Sequence, residues 1–215
     1  MKLVKSIKYL DKILNRYRSD GFKIHLTPTM GALHAGHLKL VKESKKLKSI
    51  VVVSIFVNPT QFGPNEDYKN YPRTLKNDLK VLKKYSADIV FTPIQKQILS
   101  HKTKHNCPQF AIEKRLCGKS RPNYFPGVKN IVLKLFDIVQ PDAAFFGEKD
   151  YQQYLVIKKM TESLKLNTRI ICVKTVRDRN GLPLSSRNNY LSSKEFKIAI
   201  KINKLLKKLP PLIKT

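Results

Sequence analysis

Short apolar segments alternate along this chain with longer segments of helical periodicity. Five segments are typical of strands, at residues 22–27, 50–56, 87–93, 142–147 and 168–176. Parallel strands need a crossover of about a dozen or more residues, which is usually a helix. The alternation therefore predicts an α/β fold with a Rossmann-like, doubly wound parallel sheet. In such sheets ligands bind beyond the carboxyl ends of the strands.

The segments around these strands have the apolar spacing of helices. Helices are predicted at residues 32–47, 71–86, 127–140, 150–165 and 192–209. Residues 1–14 also space their apolar residues as a helix does. The last helix has an apolar side, and we expect this side to pack on the sheet. That side carries Ile198, Ile202, Leu206 and Leu209.

The formal net charge of +28 raises the question of a nucleic-acid partner. Lysine far outnumbers arginine, and the lysines are dispersed along solvated helix faces. The sequence has no basic platform rich in aromatic residues on which bases could stack. It therefore predicts no specific nucleic-acid binding, although non-specific binding to polyanions at low salt is expected.

We expect a cytoplasmic protein with no membrane partner. No segment approaches the roughly 20 apolar residues of a membrane helix. The first residues lack the apolar core and cleavage site of a secretory signal. The three cysteines, Cys107, Cys117 and Cys172, are odd in number and form no CxxC pair, which favours reduced thiols.

Two histidines lie where the first of these strands gives way to a helix. His34 and His37 are three residues apart, so they share one face of a helix, and Gly31 and Gly36 accompany them. A helix N-terminus binds phosphate, and imidazoles there can donate hydrogen bonds to its oxygens. The alternative is one capping histidine and one half-buried histidine. No third ligand lies nearby, which disfavours zinc and predicts no metal site.

The longer string around these histidines, PTMGALHAGH at residues 28–37, resembles the pantoate–β-alanine ligase family of the nucleotidylyltransferase superfamily. Four further blocks resemble that family in the same order, and together they cover nearly the whole chain. They are FVNPTQFGPNEDYKNYPRT (56–74), SRPNYFPGV (120–128), FFGEKDYQQ (145–153) and TVRDRNGLPLSSRNNYLS (175–192).

The resemblance implies an ATP-dependent condensation of pantoate with β-alanine. Pantoate carboxylate attacks the α-phosphate of ATP to give pantoyl-adenylate and pyrophosphate, and β-alanine then releases pantothenate and AMP. ATP is a substrate in this reaction, and Mg²⁺ is carried with it. We assign no protein ligand to the magnesium, because Mg²⁺ keeps several waters and binds phosphates more than protein groups.

The resemblance also implies the site residues. The catalytic group is His34, His37, Lys149 and Arg187, with His37 as hydrogen-bond donor to the α-phosphate. Asn58, Gln61 and Gln153 match the pantoate and β-alanine site. The ATP site would comprise Met30, Gly31, Ala32, Leu33, His34, Ala35, Gly36, His37, Gly147, Glu148, Lys149, Asp150, Val176, Leu184, Ser185, Ser186 and Arg187. Backbone N–H groups of Met30 to His37 are expected to face the phosphates, and Gly36 to leave room for the nucleotide.

Two features depart from the family. Tyr124 stands where the family usually has histidine. The family also continues with a C-terminal domain that closes over the site and supports a dimer, so this sequence predicts only a remnant of it and weighs against a homodimer. We expect residues 1–176 to form the Rossmann-like domain that binds ATP and pantoate. Residues 177–215 would hold the phosphate-binding loop and the shortened C-terminal domain.

Two other functions stay open from the sequence. One is a different nucleotidylyltransferase that uses the same HxGH site, although the NPTQF and GEKDYQQ motifs argue against it. The other is a truncated, non-catalytic relic that binds nucleotide or polyanions.

Overall fold

A single parallel sheet organises the protein in the computed structural model, which describes residues 1–46 and 49–208. Its six strands lie in the order β1-β4-β3-β2-β5-β6, and every pairing is parallel. The predicted Rossmann-like α/β fold is confirmed. The strands are β1 (Lys2–Val4), β2 (Ile24–Thr29), β3 (Ile50–Ile55), β4 (Ile89–Phe91), β5 (Ala143–Gly147) and β6 (Arg169–Val173).

Helices lie between these strands, and one more follows the last strand. They are α1 (Ile7–Ser19), α2 (Ala35–Lys46), α3 (Leu75–Lys84), α4 (Gln95–Ser100), α5 (Cys117–Ser120), α6 (Tyr124–Val139), α7 (Tyr151–Ser163) and α8 (Ser193–Leu206). Short 3₁₀ turns lie at Pro59–Gln61, Ala111–Lys114, Glu148–Asp150 and Ser186–Tyr190.

Helices cover both faces of the sheet. Successive strand residues point to opposite faces, so each strand contributes apolar side chains to both layers. On one face, Ile24 and Leu26 pack with residues of α1, α6 and α7. On the other face, Val51 and Val53 pack with residues of α2 and α3. Helix α6 is the most deeply buried helix, with twelve buried residues. This arrangement is the doubly wound architecture, and it leaves the carboxyl ends of the strands open along one edge.

The N-terminal residues differ from the sequence prediction. Lys2–Val4 form β1 and pair with Ile89–Phe91, so the helical spacing read over residues 1–14 is wrong for the first turn. Helix α1 begins at Ile7 because the hydroxyl of Ser6 accepts a hydrogen bond from the Tyr9 N–H, 3.4 Å away. A strand of three residues is too short to show its own period of two.

Helix α8 also departs from the prediction. Its expected packing on the sheet is wrong, because Ile198, Ile202 and Leu206 are 64%, 54% and 56% exposed. Leu209 lies outside the described residues. A capping box of Ser192 and Glu195 fixes the start of the helix locally. An amphipathic pattern predicts that a helix has an apolar face, but it does not identify the surface that covers that face.

A buried ion pair anchors the irregular segment before α6. Lys129 and Glu113 are 2% and 7% exposed, and Lys129 Nζ lies 2.6 Å from Glu113 Oε1. Lys129 also donates to the carbonyl of Pro108, and Glu113 accepts from the Phe110 N–H. The pair therefore joins residues 108–113 to the central helix of the core.

Replacing Lys129 by methionine should lower the free energy of unfolding by about 3 kcal/mol, because it leaves the Glu113 carboxylate buried without its partner. Urea unfolding followed by circular dichroism measures the change. The double variant Lys129→Met/Glu113→Gln removes both charges and should recover part of the loss. Equal losses in the single and double variants would contradict this role of the charge.

Candidate active site

One cleft lies at the carboxyl ends of β2, β3, β5 and β6, and residues of all five motif blocks line it. Most of the predicted site residues line it, and they come from five separate segments of the chain. Those that line the cleft are Met30, His34, Gly36, His37, Asn58, Gln61, Gly147, Lys149, Asp150, Gln153, Val176, Leu184, Ser185, Ser186 and Arg187. Five predicted residues lie elsewhere, namely Gly31, Ala32, Leu33, Ala35 and Glu148.

The two imidazoles lie side by side at the start of α2. Their ring centroids are 4.1 Å apart. The Gly36 N–H donates to His34 Nδ1 at 3.1 Å, and the His34 N–H points at His37 Nδ1 at 3.4 Å. A nitrogen that accepts a hydrogen bond carries no proton, so each neutral ring holds its proton on Nε2. Each imidazole can therefore donate one hydrogen bond from Nε2.

The surroundings keep both rings uncharged. Burial lowers the pKa of His34, and the positive charge of Lys149 lowers it further. Burial, His34 and Lys149 together lower the pKa of His37 to about 3. The pair is thus neutral near pH 7, and it offers hydrogen-bond donors without adding charge to the cleft.

Gly36 lines the cleft and lies directly beneath the ring of His34. A Cβ atom at this position would lie 2.8 Å from His34 Cε1 and 2.9 Å from His34 Nδ1. A side chain at this position would therefore displace the His34 ring, which packs directly over Gly36. The glycine lets the imidazole fold back and receive the Gly36 N–H.

A buried carboxylate holds the turn before α2, and the sequence analysis missed it. Asp78 is 1% exposed and accepts from the N–H groups of Ala32 and Leu33 at 3.1 and 2.9 Å. These two N–H groups do not face the cleft, which corrects the expectation for residues 30–37. The sequence feature that indicates a buried role for Asp78 is its place on the apolar stripe of α3, between Leu75 and Leu82.

Asn58 and Gln61 follow β3 in a short turn that packs directly on α6. A Cβ atom on Gly127 would lie 2.3 Å from the carbonyl oxygen of Thr60, so only glycine allows this approach. Asn58 is buried, and its Nδ2 donates to the Gly127 carbonyl at 3.1 Å and to Gln61 Oε1 at 3.2 Å. The turn and the helix together fix where the Gln61 side chain enters the cleft.

Tyr124 contacts the second predicted glutamine. Its hydroxyl donates to Gln153 Oε1 at 3.0 Å, and the Arg121 guanidinium lies 3.8 Å from the centre of its ring. Burial, with a further contribution from Asp150, raises the pKa of Tyr124 to about 12. The phenol therefore keeps its proton at any ordinary pH. Sequence reasoning noted this position but assigned it no contact.

Two consecutive carboxylates hold the arginines of the cleft. Arg187 forms a bidentate pair with Asp67, at 2.9 and 2.7 Å. Arg121 forms one with Glu66, at 2.6 and 2.5 Å. Hydrogen bonds from these arginines lower the pKa of both carboxyls. The Arg187 fork was expected to be available for phosphate, but here it is occupied by Asp67.

Lys149 is less constrained than the arginines. Its Nζ lies 3.8 Å from the nearest Asp150 oxygen, and its side chain is 37% exposed.

Among residues 1–46 and 49–208, no group of three or more acidic, histidine or cysteine side chains could hold a metal ion. A search of the same residues finds no helix with the length and hydrophobicity needed to span a membrane.

The fold and the cleft are those of an α/β enzyme with an HxGH motif after its central strand. The chain belongs to the pantoate–β-alanine ligase family, whose model matches residues 2–211. The predicted resemblance is thereby confirmed.

Relatives named pantothenate synthetase match most of the chain. That of Buchnera aphidicola subsp. Acyrthosiphon pisum is 48% identical over 210 residues, which cover 97% of this chain and 74% of the relative. That of Acinetobacter baylyi is 50% identical over 208 residues, covering 96% and 74%. The chain thus spans about three quarters of the length of these relatives.

Solved structures of the family share the fold. Pantothenate synthetase from Thermus thermophilus has a TM-score of 0.88 and 39% identity, covering 95% of this chain and 72% of that one. The ligase from Francisella tularensis, described as complexed with β-γ ATP and β-alanine, has a TM-score of 0.88 and 43% identity, covering 96% and 79%.

The low pKa of His37 predicts how stability depends on pH. Between about pH 6.5 and pH 3 the unfolded chain binds a proton at this histidine that the folded protein does not. Stability should therefore fall as the pH falls through this window, and should be fully present above it. From pH 7.5 to pH 5, His37 should account for up to about 2 kcal/mol of the loss.

Urea unfolding at the two pH values measures this contribution. The variant His37→Asn should lose less stability between pH 7.5 and pH 5 than the wild type does. His34 and His25 also have lowered pKa values and should keep part of the dependence in the variant. An unchanged dependence in His37→Asn would contradict the assignment.

Proposed function

We propose that this protein condenses pantoate with β-alanine at the expense of ATP, through a pantoyl-adenylate, and releases AMP and pyrophosphate. Family membership and the names of the relatives support this function over another nucleotidylyltransferase or a non-catalytic relic. One observation carries the mechanism. Two neutral imidazoles face the same cleft as Lys149 and Arg187.

His34 and His37 would bind the phosphates of ATP through their Nε2 protons. Charge builds up on the α-phosphate oxygens when the pantoate carboxylate attacks, and donors already in place stabilise that charge. Burial is the main cause that lowers the pKa of His37 to about 3, which marks its ring as closely enclosed, so we assign it the α-phosphate. Lys149 would follow the departing pyrophosphate, since its Nζ lies as far as 3.8 Å from the Asp150 carboxylate that pairs with it.

The second phosphate contact would come from the loop of Leu184, Ser185, Ser186 and Arg187. The Ser186 hydroxyl already lies 3.2 Å from the Tyr71 hydroxyl. Arg187 would have to exchange Asp67 for a phosphate oxygen, because Asp67 occupies its guanidinium. Gly147, Asp150 and Val176 would border the nucleoside. Magnesium would arrive with ATP, keeping phosphate oxygens and water as most of its ligands.

Pantoate would bind between Gln61 and Gln153, whose amides line the cleft. Asn58 would act through Gln61, since its own amide is buried. In this proposal residues 1–176 supply both substrate sites and residues 177–215 supply the phosphate loop. The substrates are small polar molecules of the cytoplasm, and we propose that compartment for the protein.

The function is tested by following AMP and pantothenate with ATP, pantoate and β-alanine, omitting each in turn. Equal amounts of AMP and pantothenate, formed only with all three, are expected. Failure of the wild type to form pantothenate would refute the proposal.

The variant His37→Ala should lower kcat by about 10²–10³ and change ATP affinity much less, because the lost donor acts mainly on charge that develops in the transition state. Steady-state kinetics and nucleotide titration measure the two effects. The exposed His105 lies outside the cleft, so His105→Ala is the matched control and should behave as wild type. A kcat within a few-fold of wild type for His37→Ala would remove His37 from this role.

The variant Asp67→Asn should tighten ATP binding by up to about fivefold, because asparagine competes less well than a carboxylate for the Arg187 guanidinium. Calorimetry measures the dissociation constant. Asp11→Asn, on the exposed face of α1, is the control for the change in net charge. Weaker ATP binding in Asp67→Asn would mean that the carboxylate assists the nucleotide.

A further inference from the structure

The two glutamines of the proposed pantoate site each have two unlike ends. A carboxamide offers an oxygen that accepts hydrogen bonds and an NH₂ group that donates them. The end that faces the cleft decides which ligand groups are accepted. The contacts behind Gln61 and Gln153 determine this orientation.

Asn58 is oriented by the backbone. Its Oδ1 accepts from the N–H and the hydroxyl of Thr60, at 3.2 and 2.9 Å, and its Nδ2 donates to the Gly127 carbonyl at 3.1 Å. If the Asn58 amide were turned over, its NH₂ group would face the Thr60 N–H, and its oxygen would face the Gly127 carbonyl oxygen. Neither contact could form a hydrogen bond. The second Nδ2 proton points at Gln61 Oε1, 3.2 Å away. The oxygen of Gln61 is therefore engaged behind the cleft.

The NH₂ group of Gln61 is left for a ligand. Its Nε2 lies 3.3 Å from the Met30 sulfur, which also lines the cleft. A thioether is a weak acceptor, and a carboxylate or hydroxyl oxygen would displace it readily.

Gln153 is oriented from behind by Tyr124. The phenol donates to Oε1 at 3.0 Å, which leaves Nε2 of Gln153 for the cleft. The Arg121 guanidinium packs on the ring of Tyr124, and Glu66 accepts hydrogen bonds from that guanidinium with both carboxylate oxygens. Arg121 also reaches the carbonyl of Gln61 at 3.4 Å, so one guanidinium supports both glutamines.

We propose that Asn58 and Tyr124 are positioning residues that turn the NH₂ groups of Gln61 and Gln153 into the cleft. The site then selects a ligand that presents acceptor oxygens on both sides, such as a hydroxy acid in its carboxylate form. It rejects a ligand with donors at those places, because two NH₂ groups would be left unpaired. This inference rests on the proposed function, since it takes pantoate as the ligand.

The isosteric variants Gln61→Glu and Gln153→Glu test the orientation. Each keeps an oxygen for Asn58 or Tyr124 but replaces the donor that faces the cleft by a negatively charged acceptor. Pantoate affinity should fall at least about tenfold in each, while ATP affinity stays within about twofold. Gln97→Glu, on the exposed face of α4, makes the same change of charge away from the cleft and is the matched control. If the oxygens faced the ligand instead, both glutamates would bind pantoate nearly as the glutamines do, and the inference would be overturned.

The variant Tyr124→Phe tests the positioning role, since it keeps the ring on Arg121 and removes only the hydroxyl. The KM for pantoate should rise about tenfold, with kcat and the KM for ATP little changed. Tyr124→His supplies another donor and should restore most of the loss. A purely structural role would instead lower thermal stability and shift both KM values together, and histidine would not rescue it.

These outcomes distinguish a failure of the positioning role from a failure of the proposed function. Wild-type protein that forms pantothenate, combined with variants that leave the pantoate KM unchanged, would overturn the positioning role and leave the proposed function standing. Wild-type protein that neither binds pantoate nor forms pantothenate would overturn both.

Discussion

The pairing of β2 on both of its edges is the constraint on which the rest of the site depends. β2 runs parallel to β3 over six residue pairs and to β5 on its other side. The turns after all three strands must therefore open at one edge of the sheet, with their side chains within reach of one another. The strand is buried on both faces, and even its histidine is accommodated. His25 is bonded to the Ser44 carbonyl at 3.0 Å and to the Ser49 hydroxyl at 2.9 Å, and burial lowers its pKa.

The cleft combines strong positive charge with internal carboxylates that balance it. Arg121 and Arg187 would repel each other and attract any anion if they stood alone, but Glu66 and Asp67 neutralise them. The two carboxylates are neighbours in sequence, so a single movement of their loop would change the charge at both arginines. The imidazoles stay neutral, and Lys149 remains the cation with the weakest internal partner in this group. In the proposed function, an incoming triphosphate would therefore meet the imidazole donors and Lys149 first, and would gain Arg187 only by replacing Asp67.

The sequence predicted the elements whose signal is local and long enough. The five apolar strands, the helices between them and the motif-bearing turns all lie close to their predicted places, because each carries its own periodicity or motif. What it did not predict depends on partners distant in the chain. The strand Lys2–Val4 exists only because β4 pairs with it, and the role of Asp78 is visible only once α3 lies against the turn of Ala32 and Leu33. The same holds for Arg187, whose partner is 120 residues away.

Tyr124, where the sequence departs from the family pattern, donates a hydrogen bond to the Gln153 amide. The network behind Gln153 uses one proton donor at this place, and a phenol that stays protonated supplies it. The phenol ring adds a broad face on which the Arg121 guanidinium rests, and cation–π contact of this kind is strengthened when the groups are partly buried. Arg121 is also the partner of Glu66. Tyrosine therefore connects the amide of Gln153 to the loop that carries Glu66 and Asp67, and through Asp67 to Arg187. One side chain thus joins the proposed pantoate side and the proposed phosphate side of the cleft in one continuous set of contacts.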